Sequence, residues 1–215
     1  MRRDAAPGGP VITIIDYGTS NLGSMRNMLK KVGAPSRIAS APQDLDGATK
    51  IIVPGVGAFD AGMRKLQQSG MIQALNQKVM VERVPTLGVC LGMQLMTERS
   101  EEGELPGLGW IEASAVRFDQ VSDPGIKVPH MGWNEVFVVK PSGLIANFPP
   151  EPRFYFAHSF HVVCRNAEDI LLTFGYGTNS FMAAFQRGNL MGAQFHPEKS
   201  HSFGMALLKN FVEHF

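Results

Sequence analysis

The stretch Pro85-Thr-Leu-Gly-Val-Cys-Leu-Gly-Met-Gln-Leu-Met96 (PTLGVCLGMQLM) decides the fold. Pro85 to Val89 is a short apolar run of the kind that forms a buried strand, and the residues after Cys90 read as a helix running to about Arg99. A strand that breaks at a glycine-flanked residue and passes at once into a helix is the junction of a parallel α/β sheet. Upstream the same alternation recurs. Val11–Ile15 (VITII) reads as a strand, and Asp16–Ser20 as a loop. Asn21–Lys31 has Leu22, Met25, Met28 and Leu29 at helical spacing, with Gly33 as its C-cap. Lys50–Val53 is a second strand that breaks at Pro54-Gly55-Val56-Gly57, followed by helices over Phe59–Gly70 and Ile72–Glu82. Right-handed crossovers then imply a mostly parallel central sheet with helices on both faces.

Beyond residue 110 the character changes. Strands are predicted at Val116–Phe118, Glu135–Lys140, Phe154–Ala157, His161–Cys164, Ile170–Gly175, Phe181–Arg187 and Met191–Phe195, separated by short turns. They read as antiparallel hairpins that extend the sheet or form a second one. A helix from about Phe203 to Phe215 closes the chain. The opening MRRDAAPGGP (1–10) is basic, then Pro/Gly-rich, without the apolar core of a secretory signal, and is expected to be a flexible tail. Residues 11–215 are expected to form one domain, and 215 residues with 44% hydrophobic content suffice for a large core.

Composition excludes several function classes. The net charge is +1 with no long basic run, which gives nucleic-acid binding no electrostatic footing. No run of 18 apolar residues suggests a membrane span. The two cysteines, Cys90 and Cys164, are far apart and suit neither a disulfide framework nor a zinc site, so the expectation is free thiols in a reducing cytoplasm.

Three segments carry chemistry. In Gly88-Val89-Cys90-Leu91-Gly92 a thiol stands on a tight strand–helix turn. The following helix directs its N-terminal N–H groups toward the sulfur and favours thiolate, and the Leu91 N–H is placed to help hold an oxyanion. In Phe195-His196-Pro197-Glu198-Lys199, extended chain would put His196 and Glu198 on one side, a base with its orienting carboxylate, and Lys199 on the other. In Pro54-Gly55-Val56-Gly57, glycines free backbone N–H groups for a second oxyanion donor or a substrate seat. Each alone also reads as plain structure: a core cysteine, a surface His and Glu, an ordinary turn. Together, at strand carboxyl ends where α/β sites collect, they are far more specific. Cys164 has no glycine context and reads as structural.

At these residues the sequence resembles the triad-type (class I) glutamine amidotransferases, from about residue 12 to 215. Within that family it is most similar to the glutaminase subunits of imidazole glycerol phosphate synthase in histidine biosynthesis. The matching motifs are IDYGTSNLGS (15–24), VPGVGAF (53–59), GVCLGMQLM (88–96), KVPHMGWN (127–134), YFAHSF (155–160) and GAQFHPEKS (192–200). The resemblance implies a Cys90–His196–Glu198 triad and an oxyanion hole from the backbones of Val56 and Leu91. It implies Gly57 and Gln94 at the L-glutamine substrate. It also implies a surface of Asn21, Met131, Gly132, Trp133, Asn134 and Lys199 facing a TIM-barrel synthase subunit that accepts the ammonia in a heterodimer. No metal or organic cofactor is implied. In the first motif DYGTSN departs from the glycine that the histidine-pathway subunits commonly carry before the asparagine, and three segments, HSFHVVC (158–164), FGYG (174–177) and EKSHSFG (198–204), are similar instead to a paralogous subgroup. That subgroup supplies ammonia for sugar amidation in surface polysaccharide synthesis, which is the alternative pathway.

Overall fold

The computed structural model describes residues 11–215; the expected N-terminal tail, residues 1–10, lies outside them. The first half runs β1 (Ile12–Ile15), α1 (Leu22–Lys31), β2 (Ser36–Ala39), β3 (Lys50–Gly55), α2 (Phe59–Gln68), α3 (Ile72–Asn76), β4 (Thr86–Cys90) and α4 (Leu91–Leu95). The second half adds β5 (Arg99–Ser100), β6 (Ala113–Arg117), β7 (His130–Glu135), β8 (Phe137–Val138), β9 (Arg153–His158) and β10 (Phe160–Cys164). It closes with β11 (Ile170–Tyr176), β12 (Asn179–Arg187), β13 (Leu190–Ala193) and α5 (His201–His214).

An eight-stranded sheet has the order β2-β1-β3-β4-β13-β12-β11-β8. It is parallel from β2 to β13 and antiparallel from β13 to β8. The hairpin strands therefore do both things the sequence allowed. β11 and β12 widen the main sheet, while β7–β9 and β10-β6-β5 form two small sheets beside it.

Alternation along the strands sorts the core into two layers. Ile14, Ile52, Leu87 and Val89 pack with Met25 and Leu29 of α1 and Leu208 and Phe211 of α5. Ile15, Ile51 and Val53 pack with Met63 and Leu66 of α2 and Leu75 of α3 on the other face. Both faces are covered, which is why these strands are nearly all apolar. Among the described residues no helix is long and apolar enough to cross a membrane.

Several boundaries differ from the sequence expectation, each for a local reason. β2 (SRIA) was not foreseen; it is half-buried at the sheet edge and carries too few apolar residues to stand out. The helix after Cys90 stops at Leu95 rather than Arg99. The Thr97 hydroxyl donates to the Gln94 carbonyl at 2.7 Å, and Arg99–Ser100 pair with β6 instead. The 72–82 helix is α-helical only to Asn76 and ends in one wide π-type turn over Gln77–Val81. The expected 135–140 strand divides between β7 and β8, which join different sheets, and the 191–195 strand ends at Ala193.

Candidate active site

The parallel register assembles the site. Gly55 at the end of β3 stands beside Cys90 at the end of β4, and Ala193 at the end of β13 stands beside Val89. The three segments singled out in the sequence thus meet at one edge of the sheet, at strand carboxyl ends.

Cys90 has φ +52° and ψ −112°, a backbone conformation rarely adopted by L-residues and costing on the order of 1–3 kcal/mol. The surrounding packing enforces it. A Cβ on Gly92 would lie 1.8 Å from the Val53 carbonyl oxygen, and one on Gly88 would lie 2.8 Å from the Met93 backbone nitrogen. Only glycine lets α4 turn this closely over β3 and β4. The thiol is 7% exposed at the floor of a cavity of about 470 Å³.

His196 Nδ1 lies 2.8 Å from Glu198 Oε1, and the imidazole lines the same cavity as the Cys90 thiol. Burial disfavours the imidazolium, but interaction with Cys90 and Glu198 outweighs it and raises His196 to about 9. His196 and Glu198 come together by a different local geometry from the one expected. The backbone is extended at His196, but Pro197–Lys199 form a 3₁₀ turn, so the two-residue alternation of a strand does not apply. The turn also overturns the expectation that Lys199 points away. Lys199 lines the cavity with Cys90 and His196, and its ammonium sits 5.6 Å from the centre of the Tyr155 ring.

Leu91 is the first residue of α4, so its N–H has no intrahelical acceptor. Val56 departs from the expectation. Its N–H donates to the Thr19 carbonyl at 2.8 Å and is therefore not free to hold an oxyanion in this conformation. Gly57 follows at φ +106° with open space around it.

Gln94 is buried in the cavity wall and donates from Nε2 to the Phe160 carbonyl at 3.0 Å and to Gln194 Oε1 at 3.2 Å. Cys164 lies elsewhere, against the Met182 sulfur at 3.6 Å. Burial, then the nearby Asp169 charge, pushes its thiol up to about 12.

The six residues expected at a partner surface separate into two groups. Asn21 caps α1, its Oδ1 accepting from the Ser24 N–H at 3.3 Å, and with Lys199 it borders a smaller cavity behind His196 and Glu198. Met131, Gly132, Trp133 and Asn134 lie along β7, where Met131 is 63% and Trp133 47% exposed. Met131 also reaches the rim of the main cavity. Trp133 stacks on His201 at 5.5 Å, and Asn134 Nδ2 donates to the Gly175 carbonyl at 2.8 Å.

The structure adds cavity residues that the sequence did not single out: Glu102, His158, Ser159 and Phe160. The last three lie in the YFAHSF motif, which signalled a resemblance but no role. Glu102 sits in a polar SEEGE run that reads as solvated loop; its Oε2 accepts the Phe59 N–H at 2.8 Å, which brings the carboxylate to the cavity.

A strained thiol on a strand–helix turn, backed by a histidine and its carboxylate on an α/β sheet, is an arrangement suited to nucleophilic cysteine chemistry. The family profile for glutamine amidotransferase class-I matches residues 13–215, and the chain belongs to that family and is a glutamine amidotransferase. It is 50% identical over 203 residues to the imidazole glycerol phosphate synthase subunit HisH 2 of Pseudomonas aeruginosa, covering 94% of this chain and 99% of that one. The subunit of the same name from Methanococcus maripaludis is 48% identical over 203 residues, with the same coverage. Among solved structures, PurLQS from Thermotoga maritima matches with a TM-score of 0.73 at 17% identity, over 95% of this chain and 98% of that one, a likeness of fold.

Proposed function

We propose that this chain hydrolyses L-glutamine with Cys90, His196 and Glu198 and delivers the ammonia to the TIM-barrel synthase subunit of an imidazole glycerol phosphate synthase. The observation that carries this reading is the joined geometry of the Cys90 thiol and the His196 imidazole, which line one cavity, with the Glu198 carboxylate 2.8 Å from His196 on its far side. The long full-length similarity to HisH subunits supports the histidine pathway over sugar amidation.

The Cys90 thiol gives its proton to His196, and the sulfur attacks the side-chain carbonyl carbon of glutamine, forming a C–S bond as the C=O π pair moves onto oxygen. The Leu91 N–H, joined by the Val56 N–H once it leaves the Thr19 carbonyl, holds the negative oxygen. Collapse of this intermediate breaks the C–N bond as His196 protonates the leaving nitrogen, which departs as ammonia. Water, deprotonated by His196, then attacks the γ-glutamyl thioester and releases glutamate and the thiol. Two acyl transfers replace one hard amide hydrolysis. Gln94 and Glu102 line the cavity and supply acceptors for the substrate ammonium. Docking on β7, Asn21 and Lys199 is the event that releases the Val56 N–H. One absent oxyanion donor costs roughly 10²–10³ in rate, so the chain alone is a poor glutaminase. The unpaired thiols suit a cytoplasmic setting.

The test is glutamate release by the purified chain, titrated with the synthase subunit and its acceptor substrate. Strong stimulation is expected. Cys90→Ala should abolish it while leaving the partner's turnover with added ammonium salt intact. Full activity of the chain alone, unchanged by either addition, would refute the coupled reading.

A further inference from the structure

In and behind the cavity wall lie two buried histidines that the reaction above does not use. His130 opens β7, His158 closes β9, and the two stand opposite each other in the antiparallel register. Both are buried, and His130 Nδ1 lies 3.2 Å from His158 Nε2. His158 Nδ1 in turn lies 2.8 Å from the Phe160 carbonyl oxygen.

A carbonyl only accepts, so His158 carries its proton on Nδ1 and offers a lone pair at Nε2. His130 must then donate from its own Nδ1. The Phe160 carbonyl also accepts from Gln94 Nε2 at 3.0 Å, and Gln94 Nε2 reaches Gln194 Oε1 at 3.2 Å. Gln194 Nε2 ends the chain 3.9 Å from the Cys90 sulfur. The carbonyl thereby decides which way the Gln94 amide faces, because the flipped amide would set oxygen against oxygen.

The His130 ring is held flat against Phe174, at 5.0 Å and 9° between planes, with Phe156 stacked 5.0 Å away. Burial pushes His130 down to about 4 and His158 to about 3, so both remain neutral at physiological pH, as this pattern of donors requires.

We infer that His130 and His158 are positioning residues for glutamine, fixing the Phe160 carbonyl and, through it, the Gln94 side chain, and tying that seat to the strand that carries Met131. The inference rests on the reading of the main cavity as the glutamine seat. His130 is not among the residues lining that cavity, so an effect of its substitution on glutamine binding has to travel through the hydrogen-bonded chain.

The test compares His130→Phe, which keeps a flat ring beside Phe156 and Phe174 but removes the donor, with His130→Asn, whose amide nitrogen restores it. In the complex with the synthase subunit, His130→Phe should raise KM for glutamine about three- to tenfold, the worth of one hydrogen bond, with kcat changed less than twofold. His130→Asn should bring KM back to within twofold of the unsubstituted chain. In parallel, the side-chain amide resonances of Gln94 are followed by NMR in the chain alone. They should shift in His130→Phe and return in His130→Asn. Gln94 resonances unmoved by His130→Phe would overturn the inference, as would equal losses of kcat and kcat/KM in both variants. A complex that turns over no glutamine at all would sink the functional reading, and the NMR comparison would still decide the positioning chain. His158→Phe cuts the bond to the Phe160 carbonyl directly and gives the same two readouts if His130→Phe does not fold.

Discussion

Replacing Glu198 by glutamine separates orientation from acid–base chemistry within the proposed triad. Glutamine keeps the length and an acceptor oxygen opposite His196 Nδ1 but removes the negative charge. The bond that loses its charge is short, at 2.8 Å, and its partners are 3% and 10% exposed, so solvent screens that charge little. A hydrogen bond to a charged group contributes about 1.5–3 kcal/mol. At about 1.4 kcal/mol per factor of ten, Glu198→Gln should lower kcat/KM roughly 10- to 150-fold. His196→Ala removes both the acid and the base and should leave almost nothing. The pH profile supplies a second reading. Glu198 helps to hold the His196 imidazolium up to about 9, so its replacement should move the alkaline limb of activity to lower pH. The assay is glutamate release in the saturated complex with the synthase subunit, from pH 6 to about 10. A loss as deep as that of His196→Ala, or one below threefold with an unmoved alkaline limb, would refute the assignment of Glu198 as an orienting group.

Three further outcomes follow from the same geometry. A glutamine-analogue electrophile at about pH 8 should label Cys90 and spare Cys164, whose thiol stays protonated to about 12, and peptide mass spectrometry reads the ratio. Lys199→Ala should weaken stimulation by the synthase subunit, measured as a higher half-saturating partner concentration, and leave labelling of Cys90 in the free chain within about threefold. Acid should destabilise the fold through its buried histidines. The folded value of His130, about 4, lies below its ordinary 6.5, so between these values the unfolded chain binds more protons and stability falls as pH falls. At about 1.36 kcal/mol per unit, His130 alone accounts for about 2 kcal/mol by pH 5. Denaturant midpoints at pH 7 and pH 5 should therefore lie closer together in His130→Phe than in the unsubstituted chain.

Much of this architecture was legible along the chain, because the features concerned are local. A fully apolar run followed by a glycine turn and an amphipathic stretch signals a strand–helix unit through periodicity alone, and β1, β3 and β4 fall where that pattern placed them. The long ordered motifs likewise marked out Cys90, His196 and Glu198 as one constellation. β2 escaped because an edge strand with three half-buried residues and one buried alanine has no period to detect. Glu102 escaped because a carboxylate in a polar loop looks the same whether it faces solvent or a cavity.

What only the tertiary structure decided depends on contacts between distant segments. The sequence places a nucleophile between glycines, but the positive φ of Cys90 follows from α4 lying against Val53, with Gly92 the only residue type that fits beneath that carbonyl. It offers Val56 as an oxyanion donor, but a carbonyl 37 positions earlier in the chain, that of Thr19, holds its N–H. It puts His196 and Glu198 two residues apart, but a 3₁₀ turn rather than a strand brings them face to face and swings Lys199 into the cavity. Residue types and their order are sufficient to state which chemistry the chain carries. Where each hydrogen points is settled by whichever acceptor the folded chain brings within reach, and neighbours in space are not neighbours in sequence.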